Sequence, residues 1–466
     1  MKQPIISISG IRGVLGESLT PDNIIRFAAA FAKYIGPKRI VLGRDGRLHG
    51  DMIEKIVEST LLMNGCQVIN LGIAPTPTIT LAVEALKADG GIAVTASHNP
   101  QEWNGMKFVN GSGVFLNAQE NKDFLSHMEV TSGVIYGWED VKHIEYYPTF
   151  YDYHIKKVLN IKTIDVKKIR KRKFKVLVDC VNSSGSIIVP ELLKRLGCKV
   201  IKLDCDCTGI FTRRPEPVPE NLARTMKAVK KSGADIGIIV DPDADRLVLI
   251  TEKGKPYGEE NTIVTVIKHI MKNSPRKRRI AAVNLSTTRA VDDVVAQHGG
   301  QLYKSPVGEI NVIGKMKEHN AVVGGEGSGG VILREVHYGR DSLVGIAVIL
   351  SELAEFNGTV SEYKNTLPQY VISKNKIDVN KVPADKIIKF IKRKFKGYPV
   401  NEEDGLRVDF EDSWMNFRKS NTEPIIRIIS EAKTIDKAEA LQMNIMNEIN
   451  EFITGNVIEG VDNKWL

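Results

Sequence analysis

The chain has 466 residues, of which 42% are hydrophobic and 26% are charged. At about 150 residues per domain, this length predicts three or four globular domains, and the composition excludes an intrinsically disordered chain. The formal net charge is +9. Because the basic runs lack the recognition motifs of nucleic-acid-binding proteins, we expect anionic small molecules as partners and no nucleic acid.

The cysteines and the apolar runs indicate the compartment. Five cysteines, an odd number in a chain of this length, predict reduced thiols. The sequence has no run of about 18 apolar residues that would predict a transmembrane helix. Its first residues lack the apolar core and cleavage site of a signal peptide. We therefore expect a cytoplasmic protein without a membrane partner.

Along the chain, a short β-rich run repeatedly leads into a glycine- or serine-containing turn and then into a longer amphipathic stretch. The β-rich runs lie at residues 39–47, 91–100, 175–186, 234–246, 279–290 and 320–330. Continuous apolar strands that alternate with helices are typical of mostly parallel sheets covered on both faces. The C-terminal part differs, because two strand-like runs flank a loop before one long helix.

We therefore predict an α/β fold with three similar α/β domains, whose sheets are mixed and mostly parallel, and a smaller C-terminal α+β domain. The predicted domains span residues 1–160, 161–255, 256–368 and 369–466. In such sheets the ligand-binding loops follow the carboxyl ends of the strands. Three unusual polar loops lie in that position and are candidate sites.

The first loop, "TASHNP" at residues 95–100, places Ser97 two residues past a strand. Asn99 and Pro100 bar helix continuation and predict a turn that exposes the serine hydroxyl. The neighbouring His98 suggests hydrolase chemistry, but adjacent residues rarely place an imidazole on the serine oxygen, and no G-x-S-x-G elbow surrounds the serine. Ser97 therefore needs another means of activation, for which a covalent phosphate held by a metal and cations would serve.

The second loop, "DPDADR" at residues 241–246, places Asp241, Asp243 and Asp245 at alternate positions after an apolar run. Carboxylates with this spacing can converge on one hard cation, which favours a magnesium site completed by a phosphate oxygen. With Glu252 they also match an EF-hand calcium loop, but Arg246 occupies the glycine position of that loop and a strand follows. A polar turn with exposed acids is the structural alternative.

Two further loops favour sugar and phosphate binding. In "GGEGSGG" at residues 324–330, glycines let the backbone approach a ligand, and Glu326 and Ser328 could bind sugar hydroxyls. The loop "RKSNTEP" at residues 418–424, followed by Arg427, combines guanidinium groups, hydroxyls and an amide that suit a phosphate. An ordinary glycine-rich turn and a hairpin with a surface arginine are the respective alternatives.

Together these loops resemble the α-D-phosphohexomutase superfamily over essentially the whole chain. The resemblance is carried, in the family's order, by "SGIRG" at residues 9–13, "TASHNP", "DPDADR", "GEGSGG" and "RKSNTEP". It implies a mutase that moves phosphate between the 1- and 6-positions of a hexose. A phosphoserine enzyme and a hexose 1,6-bisphosphate, as intermediate and activator, are part of that expectation. It also implies domains around a central cleft, hexose phosphates as partners, and a monomer or homodimer.

The resemblance assigns expected roles to individual residues. Ser97 carries the phosphoryl group, and one Mg²⁺ per chain is bound by a phosphoserine oxygen together with Asp241, Asp243 and Asp245. The residues expected around the reacting phosphate are Arg12, Lys107 and His98, with Lys107 as the candidate acid or base. Glu326 and Ser328 match the loop that contacts the 3- and 4-hydroxyls of the sugar. The other expected substrate-binding residues are Arg246, Glu309, Arg418, Ser420, Asn421, Thr422 and Arg427.

Two departures from the family pattern bear on the substrate. Gly330 stands where many relatives end the sugar loop with histidine, and Glu309 follows Gly308 where some relatives have a histidine. Both resemble the archaeal-type phosphoglucosamine mutase branch, and a carboxylate at residue 309 could favour a cationic 2-amino sugar. We therefore expect glucosamine phosphate, with glucose and mannose phosphates as the alternative. A metal-dependent sugar-phosphate phosphatase and a silent sugar-phosphate-binding protein are the remoter alternatives.

Overall fold

A computed structural model describes residues 3–8, 10–128, 136–379, 382–420 and 424–462. Within these ranges the strands form four sheets, of seven, four, four and five strands. We call the parts of the chain built on them the first, second, third and fourth units. No helix of the described residues is both long and apolar enough to cross a bilayer.

The first unit is built on the seven-stranded sheet, with strand order β1-β2-β6-β5-β3-β4-β7. Its strands are β1 (Ile5–Ser7), β2 (Gly10–Val14), β3 (Arg39–Arg44), β4 (Gln67–Ile73), β5 (Gly90–Val94), β6 (Trp103–Asn110) and β7 (Ile144–Tyr146). Its helices are α1 (Pro21–Ile35), α2 (Gly50–Met63), α3 (Thr76–Ala85) and α4 (Ala118–Ser126). Strands β3, β4, β5 and β7 are parallel, whereas β6 runs antiparallel to β5.

The second unit has the sheet order β11-β10-β8-β9. Its strands are β8 (Lys175–Asp179), β9 (Lys199–Leu203), β10 (Ile236–Val240) and β11 (Leu247–Thr251). The helices of this part of the chain are α5 (Tyr151–Leu159), α6 (Val166–Arg172), α7 (Gly185–Arg195) and α8 (Ala223–Ser232). Strands β8, β9 and β10 are parallel, and β11 returns antiparallel to β10.

The third unit repeats this topology, with the sheet order β13-β12-β14-β15. Its strands are β12 (Ile280–Asn284), β13 (Gln301–Ser305), β14 (Val323–Glu326) and β15 (Gly330–Leu333). Its helices are α9 (Glu259–Asn273), α10 (Ala290–Gln297), α11 (Glu309–Glu318), α12 (Ser342–Glu355) and α13 (Val360–Asn365). Strands β12, β13 and β14 are parallel, and β15 is again antiparallel.

The fourth unit is a wholly antiparallel sheet of order β16-β20-β19-β18-β17. Its strands are β16 (Val371–Asp378), β17 (Val400–Asn401), β18 (Leu406–Asp409), β19 (Trp414–Lys419) and β20 (Ile425–Ala432). Helices α14 (Ala384–Lys394) and α15 (Ile435–Asp462) accompany it, and residues of both contribute to its apolar core.

The apolar cores follow from the strand patterns. In the first unit alternate residues of each central strand enter different clusters, so that Ile40 and Leu42 pack on one face and Val41 on the other. A single cluster joins the second and third units, from Ile155 to Leu367. Burial on both faces requires the continuous apolar runs seen in the sequence. The architecture confirms the predicted fold class, while the predicted domain boundaries stay predictions.

Candidate active site

Ser97 lies in the connection between β5 and β6, buried and with its backbone in the left-handed region at φ 50°. This conformation is costly for a residue with a side chain, so the surrounding structure imposes it. The Ser97 N–H donates to Thr95 Oγ1 at 2.9 Å. Its hydroxyl donates to Asp241 Oδ2 at 3.1 Å and lies 3.3 Å from His98 Nδ1. The turn therefore presents the serine oxygen to the carboxylates of the second unit.

Arg47, which follows β3, donates hydrogen bonds to the backbone of this turn. Its Nη2 donates to the carbonyl oxygens of Ser97 and Asn99 at 2.7 and 2.8 Å, and its Nη1 donates to the carbonyl of Pro100 at 2.7 Å. Its Nε donates to Asp45 Oδ2 at 3.1 Å, and both side chains are fully buried. The sequence interpretation missed Arg47. A signal existed, because Asp45 and Arg47 directly follow a strand that lies beside β5.

The carboxylates of Asp241, Asp243 and Asp245 follow β10, whose five residues are all buried. The three side chains are also buried, and one oxygen of each lies within 4.8 Å of the others. Asp243 Oδ1 and Asp245 Oδ1 are buried without a hydrogen-bond partner in the described part of the chain. Because an orphaned buried carboxylate oxygen is costly and hard cations prefer oxygen ligands, this donor set fits a divalent cation such as Mg²⁺.

The three carboxylates differ in how readily they ionise. Burial, together with Asp245 and Asp243, raises the pKa of Asp241 well above its ordinary value. Burial opposes the ionisation of Asp245 too, but Arg340 and Lys107 outweigh it and lower the pKa of Asp245. Lys107 likewise lowers the pKa of Asp243 against burial and the charge of Asp245. The basic neighbours therefore keep the carboxyl groups of Asp243 and Asp245 ionised although they are buried.

Lys107 of β6 bridges two of these carboxylates. Its Nζ donates to Asp243 Oδ2 at 2.6 Å and to Asp245 Oδ2 at 3.4 Å. Burial lowers the pKa of Lys107, but the two carboxylates outweigh burial, and the pKa is raised above its ordinary value. The side chain is therefore a protonated ammonium that can donate a proton within the site.

The remaining residues expected around the reacting phosphate lie beside Ser97. Arg12 Nη1 donates to Asn99 Oδ1 at 3.3 Å, and the side chains of Arg12 and Arg246 line a common cleft. Burial, followed by the charges of Arg246 and Arg12, lowers the pKa of His98 to about 3. The imidazole of His98 is therefore neutral at neutral pH. The structure thus brings Arg12, His98 and Arg246 to the Ser97 turn.

The glycine-rich loop between β14 and β15 places Glu326 at the same cleft. Asn284 Nδ2 and the Gly308 N–H donate to Glu326 Oε1 at 2.9 and 3.0 Å. Arg340 Nη1 donates to Glu326 Oε2 at 2.8 Å. Ser328 lines the cleft in the same loop. The carboxylate of Glu326 is therefore oriented by three donors before any sugar binds.

Arg340 is a second residue that the sequence interpretation missed. It links the glycine-rich loop to the loop of residues 241–246, which carries the three aspartates. Its Nη2 donates to Asp245 Oδ2 at 2.6 Å, and its Nε lies 3.2 Å from Glu309 Oε2. Its backbone N–H donates to Glu309 Oε1 at 2.9 Å. Glu309 thus faces the cleft in an ion pair with Arg340, and its expected role toward a 2-amino group stays a prediction. No local signal marks Arg340, because Asp245 lies 95 positions away.

A row of three cations crosses the sheet of the fourth unit. The strand register sets Arg427 of β20 opposite Lys376 of β16 on one side and Arg418 of β19 on the other. All three side chains line the cleft. Like charges side by side destabilise a sheet, and an anion bound between them removes that cost. Of the other predicted residues here, Ser420 directly follows β19, while Asn421 and Thr422 lie outside the described residues.

The cleft has a volume of about 1440 Å³ and is lined by residues of the first, third and fourth units and by Arg246 of the second. The predicted site residues that line it are Arg12, Lys107, Arg246, Glu309, Glu326, Ser328, Arg418 and Arg427. Lys107 donates to Asp243 and Asp245, and the Arg246 N–H donates to Asp241. Asp241 in turn accepts from Ser97, so that Ser97 and the three aspartates join this set. The structure therefore brings together predicted residues that lie more than 400 positions apart in the sequence, as Arg12 and Arg418 do.

Comparison with known families assigns all four units. Residues 5–131, 152–254 and 259–370 match, in that order, the families described as "Phosphoglucomutase/phosphomannomutase, alpha/beta/alpha domain" I, II and III. Residues 375–448 match the family described as "Phosphoglucomutase/phosphomannomutase, C-terminal domain".

Similar proteins agree with this assignment. The chain is 33% identical to a "Probable phosphoglucosamine mutase" of Methanopyrus kandleri, over 93% of this chain and 95% of that one. It is 35% identical to a "Phosphoglucomutase/phosphomannomutase" of Thermococcus kodakarensis, over 94% and 96% of the two chains. A crystal structure of a phosphoglucomutase/phosphomannomutase family protein from Burkholderia thailandensis is 26% identical and superposes with a TM-score of 0.83, covering 97% and 98%. The chain therefore belongs to the phosphoglucomutase/phosphomannomutase family of the α-D-phosphohexomutase superfamily and is a phosphohexomutase, an isomerase.

Proposed function

We propose that the chain interconverts glucosamine 6-phosphate and glucosamine 1-phosphate through a phosphoserine at Ser97 and a hexose 1,6-bisphosphate. The observation that carries this proposal is the 3.1 Å contact between Ser97 Oγ and Asp241 Oδ2. It joins the nucleophile of one unit to a carboxylate cluster of another, beside a cleft that also contains a row of cations. This arrangement suits a phosphoryl group that moves between the serine and a bound sugar.

In the first half-reaction the bond between phosphorus and Ser97 Oγ breaks, and a bond forms between phosphorus and the 1-hydroxyl oxygen of the hexose 6-phosphate. Lys107, our candidate acid or base, gives a proton to the departing Ser97 Oγ and is restored by the proton that the 1-hydroxyl loses, so that the site gains no net proton. The bisphosphate then reverses its orientation. The bond between phosphorus and the 6-oxygen then breaks, the 6-phosphoryl group returns to Ser97 Oγ, and the proton that Ser97 Oγ loses passes through the same group to the 6-oxygen. Such transfers depend chiefly on positioning and on charge stabilisation, which Arg12 and Arg246 supply.

Mg²⁺ is our candidate for the cation of the carboxylate cluster. The residues that would hold it are Asp241, Asp243 and Asp245, together with an oxygen of phosphorylated Ser97. When bound, the ion would neutralise charge on the transferring phosphoryl group. The orphaned oxygens of Asp243 and Asp245 support this assignment.

We assign the rest of the substrate to the loops of the third and fourth units. Glu326 and Ser328 would contact the 3- and 4-hydroxyls of the sugar, with Glu309 beside them. The phosphate that is not transferred would be held by the cation row, with Arg418, Arg427, Ser420, Asn421 and Thr422 as the proposed contacts. Arginine suits this task because its paired N–H groups match the geometry of phosphate oxygens.

The choice of sugar rests on the relatives. The name of the Methanopyrus kandleri relative favours glucosamine phosphate. The name of the Thermococcus kodakarensis relative favours a phosphoglucomutase/phosphomannomutase and makes glucose and mannose phosphates our second candidate. A side-by-side measurement of kcat/KM for the three 1-phosphates decides between them. A tenfold preference for glucose or mannose, equal to about 1.4 kcal/mol, would contradict the glucosamine proposal.

We expect Ser97→Ala to lower mutase activity by about 10³-fold or more, because the nucleophile is removed. The purified wild-type protein is expected to show a partial mass increase of about 80 Da that maps to Ser97. Ser126→Ala, which changes an exposed serine, is the matched control. Full activity in Ser97→Ala would rule out the mechanism, and inorganic phosphate released in excess over isomerised sugar would favour a phosphatase.

We further propose that the protein acts in the cytoplasm on small-molecule hexose phosphates, as a monomer or homodimer, without nucleic-acid or membrane partners. The charge pattern of the sequence and the reduced cysteines support this proposal. Size-exclusion chromatography with light scattering would determine the oligomeric state.

A further inference from the structure

Glu260, in the first turn of α9, lies against the glycine-rich loop of residues 324–330. It lines the cleft and is half-buried. A Cβ atom added to Gly327 would lie only 2.0 Å from Glu260 Oε1 and 2.2 Å from Oε2, so the carboxyl group rests on the bare backbone of the glycine. The Thr288 N–H donates to Glu260 Oε2 at 2.9 Å. The Glu260 carboxyl therefore lies against Gly327, the residue between Glu326 and Ser328 in the sequence.

Glu260 differs from the other carboxylates that line the cleft. Each of the others has a basic partner: Glu259 pairs with Lys374 at 3.0 Å, and Glu309 and Glu326 pair with Arg340 at 3.2 and 2.8 Å. Across the described ranges, Glu260 forms no such ion pair. A partly buried carboxyl group without a paired cation is costly to ionise. Desolvation raises the pKa of Glu260 to about 8, and the hydrogen bond from Thr288 and the charge of Lys374, which lies beyond ion-pair distance, offset only part of this effect.

The position of Glu260 relative to the sugar follows from the proposed function, on which this inference rests. If Glu326 and Ser328 contact the 3- and 4-hydroxyls, then the substituent on C2, next to C3 on the ring, is also close to this loop. The carboxyl group of Glu260 lies on the residue between those two contacts. An ammonium group on C2 would supply the cation that this carboxyl lacks, whereas a hydroxyl group would not.

We infer that Glu260 binds the 2-ammonium group of the substrate and determines the preference for an amino sugar over its 2-hydroxy counterpart. A bound ammonium group would lower the pKa of Glu260 and favour its carboxylate form. The contact is then a charge-assisted hydrogen bond between carboxylate and ammonium, which is stronger than a bond between neutral groups. Glu309, the residue that the sequence pattern suggested for this role, has its charge engaged by Arg340.

The test compares kcat/KM for glucosamine 1-phosphate and glucose 1-phosphate in the wild-type protein and in Glu260→Gln. We expect the ratio of the two values to fall by about 10- to 100-fold in Glu260→Gln, through loss of activity on the amino sugar alone. The matched control is Glu318→Gln, which removes an exposed carboxylate of α11 that is paired with Lys315. It should keep the wild-type ratio.

Three results would overturn the inference. They are an unchanged ratio in Glu260→Gln, an equal loss on both sugars, and a loss of selectivity in Glu309→Gln instead. If Glu260→Gln does not fold, Glu260→Asp takes its place, since it keeps the charge but shortens the side chain. The expected change is then a smaller loss confined to the amino sugar. A wild-type protein that prefers glucose phosphate would refute the proposed substrate, whereas the change in ratio on mutation still tests Glu260.

Discussion

Arg47 shows how a single buried residue can support the turn that carries Ser97. Its guanidinium group satisfies three carbonyl oxygens of the Ser97 turn and the carboxylate of Asp45. The left-handed backbone of Ser97 is a conformation that must be imposed from outside. Arg47 is the residue best placed to impose it, because its donors reach the carbonyls of both Ser97 and Asn99.

We expect Arg47→Met to lower the free energy of unfolding by about 3–5 kcal/mol, because it leaves Asp45 as an uncompensated buried charge. We also expect kcat to fall, since the Ser97 turn loses its donors. Thermal unfolding and steady-state kinetics measure the two effects. Arg26→Met, which changes an exposed arginine of α1, is the control and should cost about 0.5 kcal/mol or less. A melting temperature of Arg47→Met within about 2 °C of wild type would contradict this prediction.

The loops associated with Ser97, the three aspartates and Glu326 follow the corresponding strand in each of the three α/β units. Each α/β unit contains four neighbouring strands that, numbered along the chain, lie in the spatial order 2-1-3-4. They are β4-β3-β5-β6, β9-β8-β10-β11 and β13-β12-β14-β15, and in each set the third strand leads to an antiparallel fourth strand. These connections are β5 to β6 with Ser97, β10 to β11 with the aspartates, and β14 to β15 with Glu326. Because each connection follows the carboxyl end of a parallel strand, packing the units together brings the loops to one cleft.

In the fourth unit the proposed phosphate contacts depend on register within an antiparallel sheet. We expect Lys376→Gln to raise KM for a hexose phosphate by about three- to tenfold, because one of three cations facing the phosphate is lost. We expect the melting temperature to stay the same or to rise, because repulsion from Arg427 decreases. Kinetics and thermal unfolding of the same variant test both statements.

The control for this variant is Lys389→Gln, which makes the same charge change at an exposed position of α14. It should leave KM unchanged. An unaltered KM in Lys376→Gln, or a marked loss of stability, would show that the cation row has a structural role instead.

At the scale of the whole molecule, the loop of residues 241–246, with its three aspartates, lies where the α/β units meet. Thr76 and Lys107 of the first unit donate to Asp243, and Arg340 of the third unit donates to Asp245. The third and fourth units are joined by further polar contacts, among them Lys374 with Glu259. A cation bound by the aspartates would therefore stabilise the junction as well as the site.

We expect Mg²⁺ to raise the melting temperature of the wild-type protein, since a ligand at about 100 times its Kd stabilises the folded state by about 2.7 kcal/mol. The increment should vanish in Asp245→Asn, in which a proposed ligand is lost. It should persist in Asp412→Asn, which changes an exposed aspartate paired with Lys437. Differential scanning fluorimetry with and without EDTA measures it, and an equal increment in all three proteins would place the ion elsewhere.

Much of this architecture was predictable from local patterns. Apolar runs followed by polar turns predicted the strands and the loops of Ser97, Asp241 and Glu326, because strand burial and turn chemistry act over a few residues. The C-terminal change to two strands and a helix predicted an α+β unit, and the antiparallel sheet with its long helix agrees. The core shared by the second and third units was not foreseen, since no local pattern records which helices pack together.

The sequence by itself determined the fold class and the family and predicted the reacting serine with its carboxylates, because these depend on short motifs and their order. Only the tertiary structure decided what surrounds them. It showed that Arg47 holds the Ser97 turn, that Arg340 engages Glu309, and that no cation of the described residues lies within ion-pair distance of Glu260. It also aligned Lys376 with Arg427. These relations join residues distant in the chain, and burial and strand register, which set their charges and contacts, exist only once the units have packed.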